Sequence, residues 1–101
     1  MINDKNQIIN TLKQLKLKYE KDGLIIVGLF GSYARNKQTT FSDIDIAYKL
    51  DYDKFSLKDT GGFSKLLRID AIRNEIQDIF KQPIDFVSDS NKRIIKDLIY
   101  A

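Results

Sequence analysis

The sequence predicts an α/β (α+β) fold in which helices pack against a small mixed β-sheet of about three or four strands. Stretches with a helical period of apolar residues alternate with short β-branched runs along the chain, and no internal repeat or low-complexity tract interrupts them. The length of 101 residues and the hydrophobic fraction of 43% suit one ordinary core. Residues 1–101 are therefore expected to form a single domain.

The first half of the chain is predicted to alternate between helix and strand. In the first segment, apolar residues recur every three or four positions; they are Ile8, Leu12, Leu15 and Tyr19. Asn3 or Asp4 can cap this helix, and Asp22-Gly23 can end it. The predicted elements of this half are a helix over residues 3–21, a buried strand over 25–30, one or two helical turns over 31–35, a polar loop over 36–40 and a strand over 43–48.

The second half is predicted to contain a loop, a long helix, a strand and a final helix. Residues 50–62 are polar and lack a clean period, which favours a mobile surface loop and a candidate lid. The long helix has one broad apolar face; its residues are Leu66, Ile69, Ile72, Arg73, Ile76 and Ile79. Pro83 ends this helix and precedes a short strand over 84–87. The final helix is expected to be capped within residues 88–90 and to carry Ile94, Ile95, Leu98 and Ile99.

The composition excludes several kinds of chemistry. The chain has no cysteine and no histidine, so it has no disulfide, thiol nucleophile, imidazole base or ordinary zinc site, and any metal must bind carboxylates. The net charge of +3 is too small to predict direct nucleic-acid binding. The longest apolar run, residues 24–30, is far shorter than the ~20 residues of a membrane-spanning helix. The N-terminus also lacks the apolar centre of a signal peptide, so we expect a cytoplasmic protein without a membrane partner.

Asp43 and Asp45 are the most informative pair of residues. Strands disfavour aspartate, yet here two of them alternate with isoleucines, so their side chains share one face roughly 6.5 Å apart. Such carboxylates repel each other unless a cation lies between them, and Mg²⁺ prefers hard oxygen ligands together with substrate phosphates. An exposed edge strand with a polar outer face is the alternative explanation of the same pattern.

Gly31-Ser32 directly follows the first predicted strand, and ten residues separate this pair from Asp43. Glycine permits close approach of a ligand to the backbone, and the serine hydroxyl and free N–H groups can bind phosphate oxygens. A simple turn and helix cap would account for the pair if it stood alone. Because it accompanies the two aspartates, we expect a phosphate site beside a metal site.

The segment Leu29–Arg35, followed by Ser42–Ile46, resembles the Gly-Ser-x10-Asp-x-Asp signature of the DNA polymerase β-type nucleotidyltransferase superfamily. The small size is similar to that of the minimal nucleotidyltransferases, the MNT-domain antitoxins that accompany HEPN-domain ribonuclease toxins. Asn36 departs from the pattern, since many members have glycine after the arginine, but this position affects a loop and not a ligand.

The resemblance implies a role for each matching residue. Asp43 and Asp45 would bind Mg²⁺ carried by ATP, and Asp85 would supply the third carboxylate of the metal site, nearest the acceptor hydroxyl. Gly31 and Ser32 would hold the β- and γ-phosphates.

Other polar and aromatic residues leave more than one interpretation open. Arg35 would contact a phosphate or a partner, unless it is merely solvated. Asp51 and Asp53 form a second Asp-x-Asp, which we assign to the solvated loop. Tyr33 and Tyr48 either stack on a base or pack in the core.

The resemblance further implies transfer of AMP from ATP to a tyrosine hydroxyl of a cognate HEPN toxin, which silences the toxin. A chain of 101 residues has little room for a separate acceptor-binding domain, so a partner protein is expected to supply the acceptor. Two alternatives remain. One is an adenylyltransferase subunit that modifies a small molecule such as an aminoglycoside, and the other is a non-catalytic antitoxin that acts by occlusion.

Overall fold

Four helices and four strands form from the residues that this computed structural model describes, which are 4–58, 61–91 and 96–101. In chain order the elements are α1 (Lys5–Glu20), β1 (Leu24–Phe30), α2 (Gly31–Ala34), β2 (Ile44–Leu50), α3 (Tyr52–Lys58), α4 (Gly62–Phe80), β3 (Ile84–Ser88) and β4 (Ile99–Tyr100). The predicted mixed α/β architecture with a small sheet is confirmed. No helix in these ranges is both long and apolar enough to cross a membrane.

The four strands form one mixed sheet in the order β3-β2-β1-β4. β1 pairs antiparallel with β2 and with β4, whereas β2 and β3 run parallel. The N-terminal ends of β2 and β3 therefore lie beside the C-terminal end of β1. In the register of the sheet, Asp45 of β2 lies between Phe30 of β1 and Asp85 of β3.

The main core lies between one face of this sheet and the two long helices. Because side chains alternate along a strand, Ile44 and Ile46 of β2 and Ile84 of β3 share this face. Helices α1 and α4 cover it with buried residues, namely Ile8, Leu12, Leu15 and Tyr19 from α1 and Ile72, Ile76 and Phe80 from α4. A smaller cluster around Phe30 and Ala47 forms on the opposite face. Asp45, which lies between Ile44 and Ile46, and Asp85, which follows Ile84, are thus directed away from the helices.

Specific polar contacts fix the position of α1. The Asp4 carboxylate accepts a hydrogen bond from the Gln7 backbone N–H at 2.8 Å, and the Gln7 side chain accepts one from the Asp4 N–H, which forms a capping box. Near the other end, the Tyr19 hydroxyl donates to a Glu75 carboxylate oxygen of α4. Burial and the adjacent Glu75 carboxylate raise the pKa of Tyr19 far above its usual value, so Tyr19 acts as a neutral donor that joins the two helices.

The prediction of a mobile loop over residues 50–62 is wrong for most of that range. Residues 52–58 form α3, because Asp51 caps its first turn and Phe55 is completely buried beneath it. Residues 59 and 60 lie outside the described part of the chain. A single buried aromatic gives no period in the sequence, and this is why the helix was not predicted.

The predicted final helix is also wrong where it can be compared with the structure. Ile99 belongs to β4 and pairs with Leu29 of β1, and Leu98 immediately precedes this strand. Ile94 and Ile95 lie outside the described residues. In α4, Leu66 and Ile79 are exposed by 66% and 49%, so the apolar face predicted for that helix is only partly buried.

Candidate active site

Asp45 and Asp85 are direct neighbours in the parallel pair formed by β2 and β3. Neighbouring strands lie about 4.8 Å apart, and both side chains project from the face opposite α1 and α4. Both residues are half-buried. Two carboxylates so close together repel each other, and a cation between them would relieve that repulsion.

Gly31 brings the backbone into contact with this carboxylate pair. It follows Phe30, the partner of Asp45 in the sheet, and has a φ of +75°, which favours glycine. A Cβ at this position would overlap the Asp45 carboxylate oxygen and lie 2.8 Å from its carboxylate carbon. The close approach therefore requires glycine for two separate reasons, backbone conformation and space.

A pocket of about 190 Å³ opens at this point; it is lined by Phe30, Gly31, Arg35, Asp45, Asp85 and Asp97. Gly31 and Arg35 are four residues apart and so reach the same side of the short helix α2. The Arg35 guanidinium donates to an Asp97 carboxylate oxygen at 2.7 Å. Four of the six residues predicted for nucleotide or metal binding therefore line this pocket, and Asp97 lines it with them.

Ser32 and Asp43 lie beside this pocket in the sequence but are not among the residues that line it. Ser32 is the half-buried second residue of α2, and Asp43 is exposed one residue before β2. Within residues 4–58, 61–91 and 96–101, no three acidic side chains form a ready-made metal cluster. The structure therefore brings Asp45 and Asp85 together and leaves Asp43 at the edge of the site.

The donor set nevertheless fits Mg²⁺ that arrives with a nucleotide. Mg²⁺ is usually held by one or two carboxylates together with phosphates and waters, and not by a cage made of protein alone. Asp45 and Asp85 supply two such carboxylates in adjacent register. The absence of a side chain at Gly31 keeps open the space directly against Asp45.

Sequence reasoning did not identify Asp97 as a member of this site. It lies in a turn before β4, within a stretch that was predicted as helix, and no motif includes it. The position of the Asp97 carboxylate depends on β4, which the sequence pattern does not predict.

Tyr33 and Tyr48 pack in the protein and do not line the pocket. Tyr33 is buried, and its hydroxyl accepts a hydrogen bond from the Gln82 side-chain amide. Tyr48 stacks on Phe86 with ring centroids 4.5 Å apart. Burial, with a smaller contribution from nearby Tyr52, raises the pKa of Tyr48. Packing is therefore the interpretation that the structure favours for both tyrosines.

The mixed sheet packed by helices is the fold of a nucleotidyltransferase, and the comparisons with known proteins identify that class. The family model described as "Polymerase beta, Nucleotidyltransferase" matches residues 6–100. The chain belongs to this family and is a nucleotidyltransferase, as the sequence motif predicted.

Two relatives from Methanocaldococcus jannaschii, both named as candidate protein adenylyltransferases, are similar to the chain. MJ0126 is 35% identical over 95 residues, which cover 87% of this chain and 84% of the relative. MJ0128 is 37% identical over 94 residues, which cover 88% of each. No solved structure matches the chain significantly.

Proposed function

We propose that the protein transfers AMP from ATP to a tyrosine hydroxyl of a cognate HEPN ribonuclease toxin, with Mg²⁺, and so acts as a cytoplasmic antitoxin. The adjacent register of Asp45 and Asp85, with Gly31 against Asp45, is the observation that carries the proposal. The names of the two archaeal relatives support a protein acceptor. In this proposal, residues 1–101 act as one catalytic domain.

Each residue of the site has a distinct task in the proposed transfer. The acceptor hydroxyl oxygen forms a bond to the α-phosphorus of ATP, the bond from that phosphorus to the β-phosphate oxygen breaks, and pyrophosphate leaves. Asp45 and Asp43 would hold Mg²⁺, which would neutralise charge on the phosphates. Asp85, on the neighbouring strand, completes the metal site and assists removal of the hydroxyl proton. Gly31 leaves room for the phosphates, and Ser32 donates a hydrogen bond to them.

The size of the pocket favours a protein acceptor over a small molecule. Pockets that enclose a drug-sized ligand measure about 300–1,000 Å³, and the pocket at Asp45 and Asp85 measures about 190 Å³. The pocket therefore encloses no more than part of a triphosphate, and an acceptor would have to be held outside it. A partner that supplies its own surface around the tyrosine fits this open site better than an aminoglycoside does.

Occlusion without catalysis is the remaining alternative, and the carboxylates argue against it. A binding module gains nothing from two neighbouring aspartates on adjacent strands, nor from a position beside them that only glycine can occupy. Both features are explained if the site binds a metal and a nucleotide.

Asp85→Asn separates catalysis from occlusion. Loss of the carboxylate that assists deprotonation should lower AMP transfer by about 10²- to 10⁴-fold. Co-expression with the toxin should then fail to restore growth, and intact-mass analysis of the toxin should show no added AMP. Asp89→Asn is the matched control, since Asp89 is exposed just after β3 and should retain full rescue and modification. Rescue by Asp85→Asn with an unmodified toxin would favour occlusion.

A further inference from the structure

Helix α2, which carries the residues proposed to bind the phosphates, is too short to fix its own orientation. It has four residues, Gly31–Ala34, whereas isolated helices shorter than ~12 residues are marginal in water. Contacts with the rest of the protein must therefore hold it, and Tyr33 is its buried residue, with 4% of its surface exposed. The Tyr33 ring packs in the main core, and its hydroxyl accepts a hydrogen bond from the Gln82 side-chain amide.

Gln82 belongs to the turn between α4 and β3, and this turn contacts the other elements that build the site. The Gln82 side chain reaches α2 at Tyr33. The carbonyl of the next residue, Pro83, accepts a hydrogen bond from the Ile44 N–H at 3.0 Å, which holds the start of β2. β3 follows directly, and Asp85 is its second residue. The turn therefore joins α2, β2 and β3.

We propose that Tyr33 and Gln82 are positioning residues for AMP transfer, whose hydrogen bond sets α2 relative to Asp85. The inference rests on the proposed function, in which Ser32 of α2 holds the phosphates and Asp85 acts at the acceptor hydroxyl. These two tasks fall on separate elements, and a misplacement of about 1 Å between reacting groups can lower a rate 10²-fold. Tyr33 and Gln82 do not line the pocket at Asp45, so they act through the residues that do.

Tyr19 provides a matched comparison within the same protein. It is 3% exposed, and its hydroxyl donates to Glu75 and so joins α1 to α4, which carry none of the proposed site residues. In both tyrosines, replacement by phenylalanine keeps the ring and removes one buried hydroxyl. The Tyr19 bond goes to a carboxylate, so its loss should lower the urea midpoint at least as much as loss of the Tyr33 bond. If both bonds served stability alone, Tyr19→Phe would impair transfer at least as much as Tyr33→Phe.

The test measures AMP transfer to the toxin, together with calorimetric binding of a non-reactive ATP analogue whose α,β-bridging oxygen is replaced by a methylene group. Tyr33→Phe should lower kcat about tenfold, because the two sides of the reaction are less well aligned. The Kd of the analogue should change by less than about twofold, because Gly31 and Ser32 remain on α2. Tyr19→Phe should keep both kcat and the Kd within about twofold of those of the unaltered protein.

A double-mutant cycle shows whether Tyr33 and Gln82 act through their shared bond. Gln82→Met keeps the length of the side chain without the amide donor, and it should also lower kcat. Tyr33→Phe/Gln82→Met should be no slower than the slower single variant, because the bond can be lost only once. If Tyr33→Phe does not fold, Gln82→Met at its half-buried position carries the test by the same comparison of kcat with the Kd.

Several results would overturn the proposal. They are an unchanged kcat in Tyr33→Phe or Gln82→Met, an equal loss of kcat in Tyr19→Phe, a rise in the Kd of the analogue that matches the fall in kcat, and multiplied losses in the double variant. If the unaltered protein transfers no AMP to the toxin, the proposed function fails together with this inference. If it transfers AMP and only the effect of Tyr33 and Gln82 is missing, the proposed function stands and the inference alone is lost.

Discussion

The two ends of β2 carry the same sequence pattern, Asp-x-Asp, and the structure uses the two copies differently. At the N-terminal end, Asp43 precedes the strand and Asp45 lies within it, beside Asp85 of β3. At the C-terminal end, Asp51 follows the strand and Asp53 lies in the first turn of α3. The Asp51 carboxylate accepts a hydrogen bond from the Lys54 backbone N–H at 3.3 Å, so it caps a helix.

The difference shows that neighbouring elements decide what an Asp-x-Asp pattern does. The parallel partner β3 places a further carboxylate next to Asp45, and the end of β1 places Gly31 against it. Asp51 instead lies at the start of α3, and its backbone N–H donates to the Gly23 carbonyl at 2.7 Å. One pair is therefore suited to a cation and the other to the start of a helix.

The largest expected effect comes from neutralising Asp45, the member of the first pair that lies beside Asp85. Asp45→Asn should lower nucleotide transfer by about 10²- to 10⁴-fold, because several kcal/mol of charge stabilisation around the metal are lost. Asn has nearly the same size, so the protein should stay folded and the free energy of unfolding should change by no more than about 1 kcal/mol. Steady-state transfer assays and chemical denaturation measure the two quantities.

The second pair is the control for this comparison. Asp51→Asn/Asp53→Asn removes two charges from the same strand's other end and keeps a side chain that can cap α3. Transfer should remain within about twofold of that of the unaltered protein, in keeping with substitutions distant from the site. Comparable losses in both variants would mean that net charge, and not position at the N-terminal end of β2, governs activity.

A smaller effect is expected from adding one methyl group at Gly31. Gly31→Ala places a Cβ onto the Asp45 carboxylate at a positive φ, so it should destabilise the fold by about 1–2 kcal/mol and impair nucleotide binding. Thermal denaturation and calorimetric titration with ATP and Mg²⁺ measure these changes. Gly62→Ala is the matched variant, since in the described part of the chain its added Cβ meets no atom within 4 Å beyond its chain neighbours and its own helix backbone. Normal nucleotide affinity in Gly31→Ala would show that nucleotide binding does not need the close approach of Gly31 to Asp45.

The sequence predicts most of the elements that build the site. The caps and apolar period of α1, the β-branched run of β1 and the turn at Gly31 all have local causes, so their positions agree with the structure. The Gly-Ser and Asp-x-Asp motifs lie at the ends of these elements and led to the nucleotidyltransferase family, which the family model confirms.

The features that could not be predicted depend on contacts between distant parts of the chain. β4 has only two residues and exists because it pairs with β1 some seventy residues earlier. Its turn brings Asp97 to Arg35, so the ion pair at the pocket was missed with the strand. α3 is stabilised by burial of Phe55 and by a cap, and neither gives a period in the sequence. Polar composition alone therefore predicted a loop where a short helix forms.

The smallest expected effect tests the structural role of the second Asp-x-Asp. Asp51→Ala removes the side-chain oxygen that accepts from the Lys54 N–H, and loss of such a cap costs about 1 kcal/mol in the free energy of unfolding. Asp51→Asn should lower the free energy of unfolding by only a few tenths of a kcal/mol, because asparagine caps helices about as well as aspartate. Urea denaturation of both variants measures the difference, and transfer activity should be unchanged in each. If Asp51→Ala instead abolished transfer while the fold stayed stable, Asp51 would take part in the chemistry, and the two ends of β2 would no longer differ in function.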